Sequence, residues 1–195
     1  MTVGRPKEFD REAALKKAME LFWIQGYEAT GLRDLLDHMG IGRQSLYDTF
    51  GDKHGLFVAT VKHYNQCITE GIIAQLCAAG SPLQNVRNTL SGIASSVTDG
   101  KCRGCLLTNT LVEVAPHDSE VAEAAKSVLN RIENGFRRTL QQAVKEGELP
   151  KDANIRALAR YFTSTVQGLV VMGKASISRA AAKDIVNVAL SVLEK

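Results

Sequence analysis

Thr30–Lys53 reads TGLRDLLDHMGIGRQSLYDTFGDK, and its spacing predicts two short helices joined by a glycine turn. Thr30 stands where an N-cap belongs, with a hydroxyl able to accept from an orphan backbone N–H. Leu32, Leu35, Leu36 and Met39 recur at helical intervals, so one face of the first helix is apolar. Gly40 follows, where a helix ends in the left-handed conformation that glycine adopts without strain. Ile41 plugs the turn and Gly42 opens the second helix, whose Leu46 and Phe50 form a buried stripe at i and i+4. Arg43, Gln44 and Ser45 are left on the opposite side, at the helix N-terminus. Two helices so joined make a helix-turn-helix, whose second helix enters the major groove of DNA.

The residue types on that second helix suit the task. Arg pairs bidentately with guanine and Gln with adenine, while Ser donates to bases or to phosphate. Tyr47 and Lys53 fit phosphate contacts, which set register without reading sequence. Lys53 also follows Asp52, an expected N-cap, and a helix N-terminus itself attracts phosphate. Arg33, with Arg5 and Lys7 on an arm ahead of the first helix, completes the expected DNA-facing set together with Thr30 and Gly42.

From Ala14 to Phe57 the chain resembles the tetracycline-repressor (TetR) family of bacterial transcriptional regulators. The resemblance is carried by Ala18, Leu21-Phe22, Gly26-Tyr27, Thr30, Gly40-Ile41, Leu46-Tyr47, Phe50 and Lys53, in order and at family spacing. It covers about 60 residues closely and the remainder in its helical layout. Two positions depart from the pattern. Gly42 replaces the usual Ser, removing a hydroxyl that caps the recognition helix or touches phosphate. Leu36 replaces a small residue, which alters packing between the first two helices. The resemblance implies an all-α chain of about nine helices. A three-helix DNA-binding domain would span residues 1–52, with its helix-turn-helix at about 29–48. An effector-binding and dimerisation domain would span residues 53–195. The implied activity is that of a homodimeric repressor on a pseudo-palindromic operator, released by a small-molecule effector. No enzyme activity, cofactor or metal is implied.

Composition agrees with a soluble globular chain. Of 195 residues, 45% are hydrophobic and 23% charged. The start, MTVGRPKEFD, has no apolar core of a signal peptide, and no run of 18 apolar residues occurs. Together with four Cys, this predicts a cytoplasmic protein with reduced thiols. Charge alone does not point to DNA: residues 1–63 hold nine basic and nine acidic side chains, and the net +3 arises further on.

Periodicity extends the helices along the whole chain. Helix one runs from Asp10, its N-cap, to Gln25, with Leu15, Ala18, Leu21 and Phe22 inward. A long helix is expected over Lys53–Ala79, and others over Pro82–Val97, Gly104–Val114, from Asp118 or Ser119 to Glu146, and over Ile155–Gly173 and Ser178–Leu193. No sustained period-2 alternation marks a strand. The last two helices carry apolar stripes that either close the monomer's own core or pair across a two-fold axis. The resemblance favours the latter, with Tyr161, Gly168, Val188 and Val192 at the interface. Two recognition helices about 34 Å apart are what successive major grooves require. Tyr64, Cys105, Asn109, Phe136, Phe162 and Gln167 are the expected lining of an effector pocket, although aromatics at helical spacing are more often core.

Cys102-Arg103-Gly104-Cys105 is the one motif that competes with this reading. As zinc ligands the pair lacks a second pair or a suitably spaced His. As a redox site, Cys105 in the first turn of a helix beside Arg103 would favour a thiolate. That leaves a small cytosolic thiol-redox protein, or a redox-sensing regulator, as the alternative function. As plain structure, Gly-Cys-Leu-Leu is a small-residue helix start in a core. Cys67 and Cys77 read as buried apolar fillers.

Overall fold

A computed structural model describes residues 9–99 and 104–194, less the side chain at position 68. All regular elements among them are helical: α1 (Arg11–Gln25), α2 (Leu32–Met39), α3 (Arg43–Phe50), α4 (Lys53–Tyr64), α5 (Glu70–Leu76), α6 (Pro82–Val97), α7 (Leu106–Glu113), α8 (Ser119–Lys145), α9 (Ile155–Lys174) and α10 (Arg179–Ser191). Asn65–Thr69 is a π-helical turn that joins α4 to α5 without a break, the flanking residues all being right-handed helical. Counting that rod once, the described residues hold nine helices.

Local chemistry sets most helix ends. Asp10 caps α1 through its carboxylate, which accepts from the Glu12 and Ala13 N–H groups. Asp52, Ser81, Asp118, Asn154 and Ser178 cap α4, α6, α8, α9 and α10 in the same manner. Gly40 ends α2 at φ 72°, where only glycine sits without strain. One expectation fails here. Gly31, not Thr30, occupies the N-cap of α2. Thr30 is fully buried, and its hydroxyl donates to the Gly26 carbonyl at 2.5 Å. The Thr30 hydroxyl is thus turned toward the end of α1, and no side chain caps α2.

The long helix expected over Lys53–Ala79 ends at Leu76, and it contains the π turn that periodicity did not reveal. Its extra residue advances the register. Tyr64 and Thr69, five apart, are both buried and line one cavity.

In the core, the first half of α4 packs on α1, where Phe57 meets Phe22 edge-on at 5.0 Å and Tyr27 at 4.7 Å. Each buried Phe is worth about 1.5–3 kcal/mol. The same core continues among α5, α6, α8, α9 and α10, around Leu76, Leu90, Phe136, Leu140 and Phe162. Phe136 and Phe162 stack on one another at 5.7 Å, fully buried; they are core, not pocket lining as expected. Cys67 and Cys77 are exposed, contrary to their reading as fillers, because the π turn and the early end of α5 leave them outward.

Candidate DNA interface and effector cavity

Helix α3 buries one side only. Leu46 is 0% exposed and Phe50 is buried, with the Arg11 guanidinium 5.3 Å from the Phe50 ring. Gly42, Arg43, Gln44 and Tyr47 are exposed, and Ser45 is half-buried. Gly42 is the N-cap and supplies no side-chain bond, so the first N–H groups of α3 lack a side-chain acceptor. Gln44 Nε2 donates to Asp48 Oδ1 at 2.8 Å, an i,i+4 contact that must open before Gln44 reads a base. Arg33 projects from α2 into solvent, 3.8 Å from Asp37. Lys53, the first residue of α4, holds Nζ 4.4 Å from the Tyr27 ring. Burial, followed by the Glu28, Asp52 and Asp118 carboxylates, raises the Tyr27 phenol above its usual range, so the ring under Lys53 stays neutral. Thr30 faces the protein interior rather than a groove. Arg5 and Lys7 lie outside the described residues.

Three polar contacts fasten this DNA-facing unit to the rest of the chain. The Glu113 carboxylate, at the end of α7, accepts from the Tyr27 N–H at 3.1 Å and the Glu28 N–H at 2.9 Å. The Trp23 indole on α1 donates to the Gly104 carbonyl at 3.1 Å. His54 Nε2 lies 2.6 Å from the Asp118 carboxylate. Val121's backbone N–H, and after it His54, hold the Asp118 carboxyl below the usual carboxylate range. None of these contacts was foreseen. The available signal was Trp23 itself: the only Trp in the chain, lying off the apolar stripe of α1, where so large a ring needs cover.

A cavity of about 470 Å³ opens behind Trp23. Tyr64, Cys105 and Gln167 line it, with Ile72, Ile93 and Val166 among its apolar walls. Asn109 instead lines an adjoining outer cleft of about 370 Å³, where it accepts from Lys174 Nζ at 3.2 Å. Cys105 is 7% exposed and stands at the N-cap of α7 rather than in its first turn. Its Sγ lies 3.1 Å from the Tyr64 hydroxyl. Cys102 and Arg103 lie outside the described residues. Elsewhere, α9 and α10 expose Tyr161, Met172 and Val188 around Gly168, and Val192 is exposed just past the end of α10. Among the described residues no helix is long and apolar enough to cross a membrane.

Known proteins share this layout. Residues 14–60 match the model for bacterial regulatory proteins of the tetR family, and residues 82–188 that for the tetracyclin repressor-like C-terminal domain. YezE of Bacillus subtilis (strain 168), an uncharacterized HTH-type transcriptional regulator, is 37% identical over 98% of this chain and all of its own. ComR of Escherichia coli (strain K12), an HTH-type transcriptional repressor, is 34% identical over 90% of this chain and 84% of its own. A cysteine mutant of the TetR family regulator CifR, complexed with 26-bp operator DNA, superposes with a TM-score of 0.84. It is 31% identical and covers 96% of this chain and 98% of its own. These matches disfavour a thiol-redox protein built on Cys102 and Cys105. With an outward polar face on α3, an all-helical frame behind it and both halves matched, the chain belongs to the TetR family and is a DNA-binding transcriptional regulator.

Proposed function

We propose that the chain is a homodimeric repressor that binds a pseudo-palindromic operator through α3 and is released when a small molecule fills the cavity behind Trp23. The carrying observation is the one-sided burial of α3, which turns Arg43, Gln44 and Tyr47 outward while Leu46 and Phe50 anchor the helix. Arg43, Gln44 and Ser45 read bases; Arg33, Tyr47, Lys53, Arg5 and Lys7 meet phosphates, and the bare N-terminus of α3 at Gly42 accepts one more. Operator DNA on CifR and the repressor description of ComR support this reading. The DNA-binding domain is residues 1–52 and the effector and dimerisation domain residues 53–195, with α4 as the hinge between them. The dimer forms through α9 and α10, whose exposed Tyr161, Val188 and Val192 form an apolar face beside Gly168. An effector works by favouring a dimer whose recognition helices no longer match two grooves.

Selection from a random duplex pool yields the operator, and fluorescence anisotropy measures its affinity. Arg43→Ala and Gln44→Ala each cost about 1–3 kcal/mol and relax preference at one or two base pairs. Lys53→Ala weakens all sequences alike and lowers the salt slope by about one. Unchanged affinity and preference in both Arg43→Ala and Gln44→Ala rules out α3 as the reading helix.

A further inference from the structure

We infer that the cavity behind Trp23 takes an uncharged, largely apolar molecule bearing one oxygen acceptor, and that Trp23 carries its presence directly to the DNA-binding domain. This deepens the effector reading above and rests on it. The volume, about 470 Å³, is that of a small-molecule site. No Asp, Glu, Lys, Arg or His lines it among the described residues. An ion seated against these described walls would lose its hydration without a counter-charge from them, and such burial costs far more than apolar contact returns.

Tyr64, Thr69, Ser96, Cys105 and Gln167 supply its polar side chains besides the Trp23 indole, and Ser96 Oγ already donates to the Ile93 carbonyl at 2.8 Å. Thr108 Oγ1 donates to Gln167 Oε1 at 2.7 Å. With one of its carbonyl lone pairs taken by Thr108, Gln167 turns chiefly its amide N–H donors to a ligand, and their complement is an alcohol, ketone or ester oxygen. Tyr64 and Cys105 already face each other at 3.1 Å, so the ligand needs no second polar group there.

Trp23 makes the site a two-domain one. It belongs to α1, yet it lines the cavity, meets the Tyr64 ring edge-on at 5.3 Å and donates to Gly104, the residue before Cys105. A ligand seated against Gln167 touches a side chain of the DNA-binding unit without an intervening element. Contact that differs between two orientations of α1 is what a shift in population requires.

The probes are 1-octanol, octanoate and octylammonium, isosteric chains of three charges that are transparent where Trp is excited. The only Trp reports binding by its own emission. Expected are saturable emission change and raised melting temperature with 1-octanol alone, and about tenfold weaker operator binding at saturation, an ordinary coupling between two sites. Gln167→Leu weakens 1-octanol about threefold to tenfold, the worth of one hydrogen bond. Trp23→Phe keeps a ring and loses the Gly104 bond; in it the octanol effect on operator binding falls below about threefold. Ile72→Trp, which fills the chamber from a half-buried position, abolishes the octanol rise in melting temperature. Preference for octanoate or octylammonium overturns the ligand class and leaves the effector reading standing. Binding of 1-octanol with unchanged operator affinity overturns the role of Trp23. If none of the three probes binds, the cavity is no ligand site and the effector reading falls with it.

Discussion

Glu113 is the side chain whose removal most directly separates the two halves of the molecule. Its carboxylate accepts two backbone N–H groups from the turn after α1, at 3.1 Å from Tyr27 and 2.9 Å from Glu28. A hydrogen bond to a charged group is worth about 1.5–3 kcal/mol, and the exposed Glu28 N–H recovers most of its share from water. Glu113→Ala is therefore expected to cost about 2–3 kcal/mol, close to the full value of the half-buried Tyr27 bond plus a remnant of the other. With a urea slope of about 2–3 kcal/mol/M for a chain of this size, the midpoint falls by about 1 M. Glu113→Gln keeps one acceptor and turns an amide N–H₂ toward the other donor, so its cost lies between wild type and Ala. Gly26 supplies an internal check. Its φ is 85°, and a Cβ there would meet Glu113 Oε2 at 2.9 Å. Gly26→Ala then carries backbone strain and a clash, and only the clash disappears in the Glu113→Ala background. The double-mutant cycle should show a coupling of at least about 0.5 kcal/mol. Operator affinity falls in Glu113→Ala, because a freed turn admits orientations of α2 and α3 that do not fit DNA. A midpoint shift below about 0.2 M, with no coupling to Gly26, means that the clamp contributes nothing.

Other outcomes follow from single residues. Gly42→Ser restores a capping hydroxyl at a site with φ −75° and open space around the Cβ, and urea denaturation should show a gain of about 0.5 kcal/mol. The Asp118 carboxyl is held below its usual 3.8, so its contribution is complete above that pH and is lost as pH falls further. Asn caps as well as Asp but does not titrate, so acid below about pH 4 should destabilise wild type more than Asp118→Asn in denaturation at fixed pH. Gly168→Glu and Val188→Glu should fold, since a Cβ at 168 meets nothing within 4 Å and Val188 is 68% exposed, and both should sediment as monomers at micromolar concentration. Wild-type sedimentation as a stable monomer would remove the α9–α10 interface.

Much of the architecture is written in short stretches. Asp10, Asp118 and Ser178 announce helix starts because capping is a bond between neighbours in sequence. Gly40 announces the turn because one residue's conformation decides it. The outward face of α3 follows from Leu46 and Phe50 four apart. What stayed hidden depends on tertiary packing or on local competition that periodicity does not register. Whether Phe136 and Phe162 pack on each other or face a ligand is decided where α8 meets α9, and an aromatic stripe reads alike in both cases. Thr30 looked free to cap because the carbonyl it serves, that of Gly26, competes invisibly in a helix-period reading. The π turn adds one residue to a regular stripe, and a five-residue irregularity is lost in a window that averages over eleven or more.

The two polar contacts between residues 1–52 and the rest of the chain, and the His54–Asp118 pair at the start of α4, differ in a way that bears on regulation. His54 to Asp118 and Glu113 to the Tyr27-Glu28 turn lie outside the inner cavity, and a ligand there touches neither. Trp23 to Gly104 lies on its wall. A molecule can bias an equilibrium only through contacts that differ between its states. On the proposed effector reading, the outer pair fixes the resting geometry and the Trp23 contact is where occupancy acts. The two are joined through α7, which begins beside Cys105 in the cavity and ends at Glu113 on the turn. Eight residues of α-helix span about 12 Å, and a rigid rod of that length moves both ends together. Displacing the start of α7 by a ligand thus pulls the Glu113 carboxylate against its two N–H donors. Strain at those bonds is relieved by rotation of the turn that carries α2 and α3.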